Sequence, residues 1–184
     1  MARDDVDLIT NATDRLAGRL EGLTDDEYLW EPVPDCWSVR PAADSSWRAD
    51  LSAKGTTFTR KSPAPFTTIA WRLWHLGASP TPTQPSGQTS GIEFISAWFS
   101  QIPPTRSPAV GTADEARSLL AATWRNMAET VASFNDEELG QTIGAEGGPY
   151  GDATLESLVL HIADELIHHG AEVGVVRDLY AHRP

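Results

Sequence analysis

The sequence predicts an all-α protein built as a four-helix bundle, and three observations point there. Four segments repeat apolar residues at the three- and four-residue spacing of a helix face. Cap or breaker residues bound these segments. Between them Pro, Gly, Ser and Thr dominate, with little of the alternation that marks strands. The bundle is expected to carry long crossover connections, and a short extra helix can form over 92–102, carrying Phe94, Trp98 and Phe99.

The first helix is expected over 4–22, where Val6, Ile9, Leu16 and Leu20, with Ala12, Thr13 and Leu23, fall near one face and Gly22 supplies a stop. Thr24-Asp25-Asp26-Glu27 reads as a capping box, so a short helical turn carrying Tyr28 to Trp30 should follow. Over 31–65 periodicity lapses, and Pro32, Pro34, Pro41, Gly55, Pro63 and Pro65 alternate with Ser, Thr and Asp. Connections this long are usually functional or disordered, and Trp37 and Trp47 favour a packed one.

Thr67-Thr68 offers an N-cap for a strongly apolar second helix over 67–79, with Ile69, Ala70, Leu73, Trp74, Leu76 and Gly77. Thr112-Ala113-Asp114-Glu115 is another capping box and opens the third helix, over 112–135, where Ala116, Leu119, Leu120, Trp124, Met127, Val131 and Phe134 keep helical spacing. Gly140, Gly144, Gly147, Gly148, Pro149 and Gly151 fill the next connection, and a fourth helix over 153–180 starts near Asp152 or Thr154. One domain over 1–184 is the expected organisation, since 184 residues with 40% apolar content can bury a core without a staple.

Composition narrows the function. Asp4, Asp5, Asp7, Arg15 and Arg19 interrupt the first twenty residues, so no signal peptide or membrane span is expected and the location should be cytoplasmic. Cys36 is the single cysteine, which excludes an intramolecular disulfide and a Cys-based zinc cluster, and in Pro34-Asp35-Cys36-Trp37 it is expected to be a packed loop thiol. A formal charge of -12 argues against nucleic acid and anionic membranes as partners, because both are bound by clustered Lys and Arg. A small-molecule substrate or another protein, a homodimer included, is compatible with that charge.

Four of the five histidines lie in the second and fourth helices: His75, and then His161, His168 and His169. Residues four apart on a helix share a face, which lets an imidazole and a carboxylate hold one metal ion. The fourth helix offers two such pairs, Asp164/His168 and Glu165/His169. Leu155, Leu158, Val159, Ile162, Leu166 and Val173 centre its apolar face; His169 falls roughly 40° from that centre and Glu165 roughly 80°, against about 140° for His168 and about 180° for Asp164. The inward pair is therefore Glu165/His169, with His161, about 120° from the centre, as a further ligand, a supporting partner or a proton carrier. The same residues also admit a plainer arrangement without metal, in which His75 packs on Trp71 and Trp74 while Glu165 pairs with an arginine such as Arg72. Spacing alone leaves the two arrangements open.

With a histidine in helix 2 and Leu160-His161-Ile162-Ala163-Asp164-Glu165-Leu166-Ile167-His168-His169 in helix 4, the layout resembles the DinB-like metalloprotein superfamily. That superfamily includes the N-terminal domain of mycothiol-dependent maleylpyruvate isomerase. Where the DinB pattern repeats histidine at four-residue intervals, Glu165 stands in the middle position; the isomerase-like branch also uses a glutamate and a histidine at that spacing. The resemblance thus implies His75, Glu165 and His169 as ligands of one divalent metal ion. Zinc is the first choice, with nickel, iron or manganese also compatible with such donors.

Three protein ligands leave coordination positions open, the catalytic form of a metal site. Several members of the superfamily use mycothiol, bacillithiol or glutathione, so the resemblance implies a metal-dependent thiol S-transferase or isomerase acting on a small molecule. In that scheme His161 or Glu172 moves a proton, although a solvated carboxylate near the inner edge of the helix is the preferred reading of Glu172. Trp37, Trp47, Trp71, Trp74 and Trp98 are expected mainly as core and loop anchors, some of them shaping a pocket. The isomerase it resembles has an additional C-terminal domain that contributes to its site, whereas this sequence ends at Pro184, so that particular reaction is not expected. The alternatives are a non-catalytic module that binds metal or a small ligand, and a bundle serving mainly homodimer packing.

Overall fold

The computed structural model describes residues 2–52, 63–77 and 109–183. In α1 (Ala2–Arg19), Ile9, Ala12 and Leu16 recur at helical spacing, so one stripe is buried while Asp7, Asp14 and Arg15 stay exposed. Gly22 then turns the chain with φ +69°, a left-handed conformation that glycine adopts at little steric cost.

The next helix, α2 (Asp25–Tyr28), starts as the sequence indicates, with the Thr24 hydroxyl accepting from the Glu27 N–H at 3.3 Å. The Glu27 carboxylate is engaged elsewhere. It accepts from Arg177 Nε at 2.8 Å and from a terminal guanidinium nitrogen of the same arginine at 3.1 Å.

The connection expected to be irregular over 31–65 contains a small antiparallel hairpin, β1 (Val39–Pro41) and β2 (Trp47–Ala49), with Val39 opposite Ala49 and Pro41 opposite Trp47. Its turn is closed locally: Asp44 Oδ1 accepts from the Ser46 N–H at 3.1 Å and from its hydroxyl at 2.5 Å. Strands of three residues are too short to leave a readable alternation, which is why periodicity misses them.

This segment also positions the next helix. Trp37 brackets the chain ahead of α3 (Ile69–Gly77), its N–H donating to Phe66 O at 2.8 Å and its carbonyl accepting from the Thr68 N–H at 2.9 Å. The fully buried Thr68 caps α3, accepting from the Trp71 N–H at 3.2 Å and donating to Ser38 Oγ at 3.0 Å. Residues 78–79, expected in the same helix, and the short helix expected over 92–102, with Trp98, lie outside the described residues.

Thr112 caps α4 (Ala113–Ser133), and the chain then makes α5 (Asp136–Leu139), a 3-10 segment (Gly144–Tyr150) and the long α6 (Leu155–Ala181), capped by Thr154. Both α1 and α3 pack against α4 and α6, so four helices enclose the core that includes Ile9, Leu73, Trp124, Val131, Ile162 and Leu166. The fold is the all-α bundle expected, with the hairpin as an addition. Among the described residues no helix is long and apolar enough to cross a membrane.

Candidate metal centre

Two of the bundle helices supply the cluster: α3 contributes His75 and α6 contributes Glu165 and His169. On α6, the residues expected to centre the apolar face are all buried, Asp164 and His168 are exposed, and Glu165 and His169 fall at the edge between. Glu165 Oε2 lies 3.2 Å from His75 Nε2 and 3.4 Å from His169 Nε2. The two imidazoles meet edge to face, with ring centroids 4.8 Å apart.

Each imidazole is held from behind. His75 stacks on Trp71, one turn earlier, at 5.2 Å and 14° between planes. Trp71 is itself fixed by its indole N–H, which donates to Asp50 O at 2.8 Å, and by tilted contacts with Trp37 and Trp74. His169 Nδ1 lies 2.7 Å from Glu172 Oε2, and the same carboxylate oxygen accepts from Arg72 Nε at 2.9 Å.

These contacts set the electrostatics. Hydrogen bonds from His169 and His75 hold the Glu165 carboxyl well below its ordinary value, against the opposing effect of burial. Burial works to lower His169, but hydrogen bonds to Glu165 and Glu172 and their charges overcome it and push the imidazole up to about 9. Glu172 is pushed down to about 2, chiefly by its hydrogen bond from His169, with Arg72 adding to the effect.

The donor set fits a metal ion. An ion with tetrahedral bonds of about 2.0–2.1 Å has its donors about 3.3–3.4 Å apart. The two contacts to Glu165 Oε2, at 3.2 and 3.4 Å, lie close to that spacing without rearrangement. One donor atom from each of His75, Glu165 and His169 lies within 4.8 Å of the others. Two neutral-capable imidazoles and a carboxylate are donors that zinc and its first-row neighbours accept.

Two expectations need correction. Glu172 is not a solvated carboxylate: it is half-buried and held by Arg72 and His169. Arg72, considered as the partner of Glu165, pairs with Glu172 instead. The signal was present in the sequence, because an arginine within the apolar run Ile69 to Leu76 must find an anion when α3 is buried. His161 is exposed, and no hydrogen bond or ion pair among the described residues joins it to the cluster, so its expected supporting role has no contact behind it. Cys36 is a buried loop thiol, as expected, donating to Val33 O at 2.9 Å.

A family model described as the DinB superfamily matches residues 8–173. The chain belongs to the DinB superfamily. The matched span covers α3 and α4 whole and most of α1 and α6, and His75, Glu165, His169 and Glu172 lie within it. No curated protein and no solved structure gives a significant match to the chain. For this DinB-superfamily chain, membership thus brings the fold and a superfamily that often binds metal, while the geometry identifies the side chains suited to it.

Proposed function

We propose that this DinB-superfamily chain is a divalent-metal-dependent enzyme, a thiol S-transferase or isomerase that acts on a small molecule with mycothiol, bacillithiol or a similar low-molecular-weight thiol. The observation that carries the reading is the convergence of His75, Glu165 and His169 from two helices. Three such donors match the catalytic pattern, in which a coordination position stays open, rather than the closed structural one. A bound divalent ion supplies a Lewis acid that lowers the pKa of a thiol or water and polarises a carbonyl. The thiol half of the reading is supported by the resemblance to thiol-dependent members of the superfamily, an argument by analogy.

The chain's own residues have clear parts in this scheme. Glu165 supplies the negative charge between two imidazoles. Trp71 fixes the plane of His75, and the side chains of His75 and His169 are only 15% and 17% exposed. Glu165, at 31%, is the most accessible of the three, so approach of a small molecule is easiest on its side.

Loading of the purified chain followed by metal analysis tests the reading. One divalent ion per chain is expected, and His75→Ala and Glu165→Ala should each lose it. At a free metal concentration of 100 times Kd, binding adds about 2.7 kcal/mol, a rise in Tm of roughly 5–11 °C for a chain of this size. Further stabilisation by mycothiol or bacillithiol, and turnover with an electrophilic substrate, would support the enzyme. Metal uptake without any thiol response would favour a non-catalytic binding module. Full metal content in both variants would refute the site, and metal loss confined to Asp164→Ala and His168→Ala would move it to the outward pair.

A further inference from the structure

Beyond the three donors, α3 and α6 are joined by a second set of contacts. A histidine has two ring nitrogens, and the hydrogen bond made by one decides whether the other is free to coordinate. His169 Nε2 faces Glu165, while Nδ1 lies 2.7 Å from Glu172 Oε2. That carboxylate oxygen also accepts from Arg72 Nε at 2.9 Å. Arg72 is deeply buried, with a side-chain exposure of 6%; it donates to Thr67 O just ahead of α3 and lies over the Phe66 ring at 5.1 Å. It therefore has little freedom to release Glu172.

Arg72 and His75 are three residues apart and lie near one another on α3. One helix thus provides a donor directly and, through Arg72 and Glu172, a hold on the donor contributed by the other. Glu172 has a competing use. His168, His169 and Glu172 together form another group with ligand-like atoms within 4.8 Å, and His168 Nε2 lies 3.4 Å from Glu172 Oε1. Against a cation there, the Arg72 guanidinium already occupies one oxygen of Glu172, and His168 is 62% exposed. The charge at Glu172 is better matched to an imidazole N–H than to a second ion.

Building on the metal reading above, we propose that Glu172, held by Arg72, is the positioning carboxylate of the centre. It keeps the His169 proton on Nδ1 and aims Nε2 at the ion shared with His75 and Glu165. Carboxylates placed in this way behind a metal-bound histidine typically contribute 10–100-fold in metal affinity.

The test uses the full chain, stripped with a chelator and titrated with zinc ion against a chromophoric competitor, together with long-range 1H–15N spectra of the imidazoles. The wild type should bind one ion and show His169 protonated at Nδ1 and coordinated through Nε2. Glu172→Ala should bind zinc roughly 10–100-fold more weakly and lose the single-tautomer signature of His169. Glu172→Gln retains an acceptor oxygen and should recover part of the affinity. His168→Ala should match the wild type, and circular dichroism checks that every variant is folded. Wild-type affinity in folded Glu172→Ala, or His169 coordination through Nδ1, would overturn the positioning role while leaving the metal centre in place. Two ions per chain, one lost in His168→Ala, would also overturn it, because Glu172 would then be a ligand. A wild-type chain that binds no divalent ion would overturn the metal reading and this proposal together.

Discussion

His75 on α3 and Glu165 on α6 lie 90 positions apart in the chain and meet with Nε2 3.2 Å from Oε2. Burial of the two helices' facing sides brings an imidazole and a carboxylate together at the edge of the core, where charge is retained only with a partner. His169 and Glu172 extend the same cluster along α6.

This cluster makes the stability of the metal-free protein depend on pH in a defined direction. Glu165 and Glu172 have depressed folded-state values, so their contribution is present above the ordinary 4.5 and is lost as pH falls below it, for Glu172 down to about 2. His169 is raised from 6.5 to about 9, so its contribution is full below 6.5 and is lost as pH rises through about 9. Stability in the presence of a chelator should therefore be greatest between those ordinary carboxylate and imidazole values and decline on both sides. Metal should remove the alkaline decline, since the ion replaces a proton on His169 and its uptake strengthens as pH rises. Thermal melting across pH, with chelator and with zinc, measures both effects; identical alkaline flanks in the two series would contradict the assignment.

A second prediction concerns Arg177, far from these donors. It donates to both oxygens of Glu27, whose side chain is 8% exposed, and to the carbonyls of Arg19 and Glu21, tying the end of α1 and the start of α2 to α6. Arg177→Ala leaves the Glu27 charge without its cation and should cost about 3 kcal/mol, the lower end of the usual range because Arg177 retains some exposure. Glu27→Leu combined with Arg177→Met should cost far less, because neither charge is then stranded. Urea unfolding of the single and double variants distinguishes these; equal losses would mean that the charge pair is not the source.

Glycine substitutions provide a third comparison. A Cβ on Gly111 would fall 2.0–2.3 Å from atoms of the Trp47 ring, whereas one on Gly18 meets nothing within 4 Å. Gly111→Ala must displace the indole that anchors the hairpin beside Ala109 and should destabilise by about 1–3 kcal/mol. Gly18→Ala, within α1, should stabilise by about 0.5–1 kcal/mol through the lower conformational entropy of the unfolded chain. Opposite shifts in Tm are expected, and a neutral Gly111→Ala would show that the contact with Trp47 is not a tight one.

Much of this architecture is legible in one dimension because helices report themselves locally. Thr24, Thr112 and Thr154 each cap a helix at or beside the position their residue type suggests. The alternation of Leu155, Leu158, Val159, Ile162 and Leu166 with exposed Leu160, His161 and Asp164 already turns Glu165 and His169 toward the core edge and Asp164 and His168 away from it. The sequence by itself therefore determined the bundle and the inward orientation of Glu165 and His169.

Tertiary structure decided which residues answer one another across helices. No period in α3 or α6 states that Arg72 pairs with Glu172 rather than Glu165, or that His161 stays outside the cluster, because those outcomes depend on how the two helices are offset when they pack. The hairpin was hidden for a different reason: its strands are three residues each, so the pairing of Pro41 with Trp47 leaves no alternation long enough to read. A helical wheel gives the direction of a side chain about its own axis, but only the packing of a second helix supplies the partner that lies in that direction.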